Sequence, residues 1–160
     1  MLTRGLSPCA YNNMTDSKFK DIIADCLKNL GFKKKGRFWV RQGLEVSDVF
    51  LIYKSLYGDL YYWNYGYDVN AIQDDREKGQ VFAEKRLSQE QYLLLNELCN
   101  LENDMLDIER EKNLRLTLSD VFANSKIESL SELEQYIKEC DPVMTKKAIK
   151  YLEDKGCRNR

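Results

Sequence analysis

Two groups of side chains in this sequence have the types and spacing to do chemistry. The first is a row of rings. Tyr61, Trp63, Tyr65 and Tyr67 alternate along L-Y-Y-W-N-Y-G-Y-D-V-N, residues 60–70. In a β-strand successive side chains point to opposite faces, so all four rings fall on one side of a sheet, with Val69 continuing the row. Such rings can stack nucleobases, and Lys33, Lys34, Lys35, Arg37 and Arg41 form a basic patch that could hold the phosphates. The second group is the carboxylate cluster Glu102, Asp104, Asp107, Glu109 and Glu111. Residues 104, 107 and 111 share a helical face, so their oxygens could converge on a divalent cation.

Each group also has a plain structural reading. Large rings bury much area, and helices are available to cover the row, so Trp39, Tyr61, Trp63, Tyr65 and Tyr67 read as core aromatics. Asp59, Asp68, Asp74 and Asp75 flank the row and would repel phosphate, which argues against nucleic acid. The carboxylates of 102–111 read equally well as a solvated helix face.

The rest of the catalytic repertoire is thin. The chain has no histidine, which removes the commonest general base and every Ser-His or Cys-His pair. Cys9, Cys26, Cys99, Cys140 and Cys157 form no CxxC pair, so neither a zinc site nor a thioredoxin-like motif is expected. Cys26 and Cys99 sit on apolar helical stripes and read as small core residues. There is no Gly-rich phosphate loop with its lysine and no Gly-x-Ser-x-Gly elbow. No cofactor, no metal and no catalytic residue is assigned, and the chain reads as a non-enzyme.

Charge is balanced overall, at a net −1, yet segregated along the chain. Residues 1–41 hold nine basic and three acidic side chains, whereas residues 42–75 hold one basic and six acidic. Segregated charge beside exposed aromatic residues suits a protein partner. The face opposite the ring row, with Leu60, Tyr62, Asn64 and Asp68, together with Asp59, Asp74 and Asp75, is the expected contact surface. An acidic surface of this kind, from residues 45–75 and 102–111, could plug the basic substrate site of a toxin.

These groups must be positioned by one ordinary domain's worth of chain, 160 residues. Phe19, Ile22, Ile23, Cys26, Leu27 and Leu30 follow helical spacing, with Asp16 or Ser17 as the cap and Gly31 at the left-handed end. Lys33 to Arg37 reads as a basic turn. Strands are expected over 38–42, 46–57 and along the ring row, joined by short turns into an antiparallel meander with the middle strand central. A long helix is expected from about Ser88 to Lys112, opened by a capping-box-like S-Q-E-Q. Leu114, Leu116 and Leu118 alternate as a short extended piece, and 119–123 reads as one helical turn. Helices follow over 131–140 and from Asp141-Pro142, read as a helix start, to Lys155. Residues 1–13 are expected to be a disordered extension, with Met14 as an alternative start, and 14–157 a single α+β domain whose helical C-terminal half packs on one sheet face. The opening lacks the apolar stretch of a signal peptide and no run reaches the length of a membrane span, so a reduced, cytoplasmic setting without membrane contact is expected.

The stretch G-F-K-K-K-G-R-F-W-V-R (31–41), then V-F-L-I-Y-K-S (49–55) and the Tyr-rich strand resembles the bacterial domain-of-unknown-function 4304 family over about residues 19–70. Members carry a Gly-Phe-basic-Gly turn into an aromatic strand, and often Gln-Lys-Ser where this chain has Tyr53-Lys54-Ser55. The resemblance implies a small α+β bacterial domain and brings no catalytic residues with it. Domains of this kind often serve as immunity proteins beside toxins. The expectation is therefore a protein-binding domain of immunity type that neutralises a toxin. The alternatives are a single-stranded nucleic-acid binder and a carboxylate-dependent enzyme acting through Asp104 or Asp107.

Overall fold

The computed structural model describes residues 14–75, 82–123 and 126–156, and their side chains apart from those of Gln73, Asp74 and Asp75. The expected extension 1–13, with Cys9, and Cys157 lie outside the described residues. The first helix, α1, spans Asp16–Asn29. Its cap is Thr15, whose side chain accepts from the Lys18 amide, rather than Asp16 or Ser17. The earlier cap leaves the Asp16 carboxylate free for tertiary contacts. At the other end Gly31, at φ +90°, lets the Phe32 amide donate to Leu27 and the Gly31 amide to Lys28. That is the paired bonding of a Schellman stop, with Phe32 and Leu27 both buried beneath it.

Five strands form one antiparallel sheet in the order β1-β2-β3-β4-β5: β1 Lys33–Lys35, β2 Phe38–Arg41, β3 Val46–Lys54, β4 Tyr61–Val69 and β5 Ala83–Glu84. The expected meander of three strands is thus β2-β3-β4, and it gains a strand at each edge. The lysine run expected as a turn is itself β1, and only Gly36 and Arg37 turn the chain. Gly36, at φ +61°, occupies the first central position of this two-residue hairpin, where a type II′ turn takes glycine. β5 is two residues long and carries no alternation that a sequence reading could detect. β3 is buried from Val46 to Leu51, on both faces, as a central strand should be.

Register puts Trp39 beside Phe50, Phe50 beside Tyr65, and Ile52 beside Trp63, so these residues share one face. Phe19, Ile22, Ile23 and Leu27 of α1 pack there, with Leu95, Leu98, Leu114, Leu118 and Phe122 from the helices that follow. A second cluster lies further along the same strands, where Val46, Tyr67 and Val69 meet Phe82, Leu133, Tyr136, Ala148 and Leu152. Tyr61, Tyr65, Tyr67 and Trp39 are buried. Trp63 is half-buried, its indole N–H donating to Asn96 at 2.9 Å and its ring against Tyr92.

The long helix expected over 88–112 is two helices, α2 Gln89–Leu98 and α3 Asp107–Ala123. The capping box at Ser88 and Gln91 forms as expected. The break is built around Arg110, which is 1% exposed. Its guanidinium donates to the carbonyls of Leu98 at 2.8 Å and Asn100 at 3.0 Å, and to the Asn103 side chain. A cation thus satisfies the carbonyl end of α2, where the helix dipole is negative. Leu101 is buried in the same turn, its amide donating to the Asp59 carbonyl. The alternating Leu114, Leu116 and Leu118 belong to α3, not to an extended piece: Leu114 and Leu118 are buried one turn apart and Leu116 is exposed.

α4 spans Leu130–Cys140 and α5 Lys146–Asp154. Asp141 does not start α5. It ends α4 in the left-handed region at φ 42°, and Pro142 prevents continuation. Thr145 caps α5 instead, accepting from the Ala148 amide. Between the helices, Val143 accepts from the Glu84 amide and the Thr145 amide donates to Phe82, so this linker lies against the outer edge of β5.

Candidate functional site

A groove of about 600 Å³ runs between α1 and the β1-β2 hairpin. Its apolar lining is Phe19, Ile23, Ala24, Trp39 and Ile52, residues that the helical and strand periods bring to one place. Its charged lining is Lys20 and Lys28 from α1, two turns apart, with Lys34 and Arg37 from the hairpin; Asp21 is the only acid among the lining residues. The Lys34 ammonium stands 5.9 Å from the centre of the Trp39 ring, a cation–π distance. Lys33 and Lys35 project from the other face of β1, and all three lysines of that strand are exposed. Among the described residues, none of Lys20, Lys28, Lys33, Lys34, Lys35 and Arg37 is in an ion pair.

The fifth residue of the expected basic patch behaves differently. Arg41 is turned inward, 2.6 Å from the Asp48 carboxylate and stacked over Phe32 and Phe122. Asp48 is 1% exposed and its second oxygen has no hydrogen-bond partner. Burial pushes its carboxyl up to about 6, against the opposing pull of Arg41. Arg41 therefore belongs to the interior and adds nothing to the groove.

The expected acidic contact surface is largely committed to the fold. Asp68 is buried and accepts from the Phe82 amide. Asp59 pairs with Lys54, which also holds Asp16. Lys54, and after it the Tyr61 hydroxyl, hold the Asp16 carboxyl below the usual aspartate range. Tyr62 is exposed and in ring contact with Tyr53, and Asn64 is half-buried. The side chains of Asp74 and Asp75 lie outside those described. Of the proposed cation cluster, Asp107 pairs with Lys18, Glu111 with Arg115, and Glu102 accepts from the Asp59 amide. Asp104 precedes α3 rather than lying on it. Among the described residues no group of three or more His, Cys, Asp or Glu is placed to hold a metal. Cys26 and Cys99 are buried thiols, as expected, and burial raises both.

The groove as a unit is not apparent from the sequence. Its lysines lie on two elements separated by the Schellman stop, and the residue types of 33–37 suggest a turn rather than the strand pairing that aims Lys34 at α1. The signal that could have found it is the spacing of Lys20, Ala24 and Lys28, which puts two cations beside the apolar stripe of α1.

No described helix is long and apolar enough to cross a membrane. No curated protein and no solved structure matches the chain. Residues 23–153 match the family described as Domain of unknown function (DUF4304), so the match runs well beyond the hairpin and ring-row segment and takes in the helical half. The chain belongs to that family.

Proposed function

We propose that this protein is a non-enzymatic protein-binding domain, and that its partner is a toxin which it holds inactive, in the manner of a bacterial immunity protein. The observation that supports this reading is the groove between α1 and the hairpin, with four cations and one acid around an apolar floor. Ion pairs elsewhere on the surface join partners within the fold, as Lys54 does with Asp16 and Asp59, or Arg115 with Asp25 and Glu111. Cations without such partners keep their charge available to another molecule, where it steers association and selects an acidic partner. The apolar floor supplies what charge alone does not, a place for a buried anchor. An inhibitor requires such a fitted surface and no reaction centre.

This reading places the contact on a basic surface, where the sequence suggested an acidic one. Asp59, Asp68, Glu102, Asp107 and Glu111 are engaged within the fold, which favours contact through the basic groove over an acidic plug. A nucleic-acid strand would also be drawn to lysines, but the ring at the groove floor, Trp39, is only 6% exposed and offers no open face for a base to stack on.

The test is co-expression with the products of neighbouring genes in the host. The expected result is rescue of growth from one toxic product, a stable complex with it on purification, and loss of both in a Lys34→Glu, Arg37→Glu double variant. No complex with any neighbouring product, or salt-dependent binding of single-stranded oligonucleotides in its place, would overturn the reading.

A further inference from the structure

The two edges of the sheet are not alike. β5 is covered on its outer side by the linker between α4 and α5, through the Val143 carbonyl and the Thr145 amide. β1 has no strand on its outer side among the described residues. In the two-residue hairpin, Lys35 and Phe38 are the closing pair, which is hydrogen-bonded in this kind of turn. Antiparallel pairs alternate, so Lys34 and Trp39 are a non-hydrogen-bonded pair and Lys34 turns its N–H and C=O away from β2. The open edge thus presents a backbone donor and a backbone acceptor at its central residue.

Charge surrounds this edge on both faces. Lys34 faces the groove with Lys20 and Lys28 of α1, while Lys33 and Lys35 face the other way. Lysines on an edge strand ordinarily discourage pairing, because a second copy would bring like charge against like. The same arrangement favours a strand of opposite charge. Resting on the protein-binding reading above, we propose that the groove and the β1 edge together form the docking site for an extended acidic segment of the partner, added to the sheet as a further strand. Carboxylates on one face of that segment meet Lys33 and Lys35, and carboxylates on its other face meet Lys34, Lys20 and Lys28. Main-chain pairing holds the segment, and charge selects it. A nucleic-acid strand has no peptide ladder to offer the edge, so it satisfies the lysines alone.

The probe is a capped peptide of Glu-Glu-Val repeats, which as a strand carries carboxylates on both faces, titrated into the full chain while backbone amide resonances are followed. Binding is expected to shift and protect the Lys34 amide, to weaken with salt, and to fall by about tenfold or more when the peptide carries N-methyl groups at alternate positions, which remove its donors. Lys34→Pro removes the outward donor while leaving the pairs at Lys33 and Lys35 in place, and should weaken binding to a similar degree. The methylated peptide leaves the protein unaltered, so the result stands even if that variant misfolds. Equal binding of the methylated and parent peptides, shifts located away from Lys34, or a single-stranded oligonucleotide bound more tightly than the peptide would each overturn strand addition. Neutralisation of a neighbouring toxin that persists in Lys34→Pro would overturn strand addition and leave the protein-binding reading in place. Peptide binding at Lys34 with no toxin neutralised would overturn the immunity reading and leave the docking mode.

Discussion

The two ends of the sheet handle the same physical problem in opposite ways. An edge strand carries backbone donors and acceptors that no neighbour satisfies. At β5 the chain covers them with its own linker, stopping α4 at Asp141 and Pro142 and starting α5 at Thr145. At β1 no described strand covers them, and lysine surrounds them. The helical side follows the first pattern at two places. Arg110 fills the carbonyl end of α2, and Tyr136 accepts from the Arg86 amide while donating to the Glu84 carbonyl. On that side these polar groups are spent on the fold. Around the groove, Lys20, Lys28, Lys34 and Arg37 are in no ion pair among the described residues. The contrast can be broken by measurement, because substitutions on the closed side should cost stability and substitutions on the open side should not.

The largest effect is expected at Arg110. Arg110→Met keeps most of the apolar stem and deletes donors to the Leu98 and Asn100 carbonyls, leaving buried acceptors unsatisfied. Bonds from a charged donor contribute on the order of 1.5–3 kcal/mol each, so a loss of about 3–4 kcal/mol in urea unfolding is expected. A loss below about 1 kcal/mol would mean that water replaces the guanidinium and that the α2-α3 turn is less closed than described.

Next in size is Asp48, which sits at the inner end of β2-β3 between the two core clusters. Its carboxyl is raised from 3.8 to about 6. A raised pKa in the folded state means a contribution to stability that is fully present below about 4 and is lost as pH rises through about 6. Asp48→Asn removes this dependence. The stability of the natural protein minus that of the variant should therefore be greater at pH 4 than at pH 7, by on the order of 1–3 kcal/mol. Paired urea titrations across that range read it. A constant difference would place the Asp48 carboxyl at an ordinary value, with Arg41 outweighing burial.

These two residues also show what the sequence makes legible and what it does not. Elements set by an uninterrupted local period are legible: α1 with its glycine stop, the ring row as a strand with a buried face, and the box at Ser88. Sequence and structure part where a contact from far along the chain decides. Sustained apolar steps over 94–108 read as one helix because nothing local reports that Arg110 folds back on Leu98. Leucines 114, 116 and 118 alternate as in a strand, and only the packing of Leu114 and Leu118 against the first core makes the segment helical. Asp141-Pro142 carries the residue types of a helix start, yet the same pair serves as a helix stop when the preceding turn is already helical. Three consecutive lysines have no strand propensity to read. They become β1 because Gly36 turns the chain back onto β2. The site is partly legible, since the basic run stands out in the sequence. Its companion α1 face is not, because lysines on a helix ordinarily signify only solvent.

A smaller effect tests the closed edge itself. Thr145 caps α5 and its amide reaches Phe82, so the cap and the edge cover depend on one residue. Thr145→Ala should cost about 1 kcal/mol, the usual contribution of an N-cap side chain. It should also speed hydrogen exchange at the Glu84 amide, whose acceptor lies in the same linker. An unchanged Glu84 exchange rate would show that the linker is held against β5 by something other than the α5 start.

The smallest effect on stability is expected at the open edge. Lys33→Glu with Lys35→Glu alters two exposed side chains that make no ion pair with any described residue, so the midpoint of unfolding should change by no more than about 0.5 kcal/mol. The sign is informative. Two like charges of one sign are replaced by two of the other on the same face, so any change comes from the flanking Lys34 and Arg37, which favour carboxylates, and the sheet should be neutral to slightly stabilised. The same pair of substitutions should abolish association with an acidic segment, because each alternate carboxylate on that face then meets another. A residue that a fold can lose without cost while a partner cannot is retained for the partner. If the double variant instead unfolds as readily as Arg110→Met, the hairpin lysines belong to the fold, and the two edges of the sheet would not differ in kind.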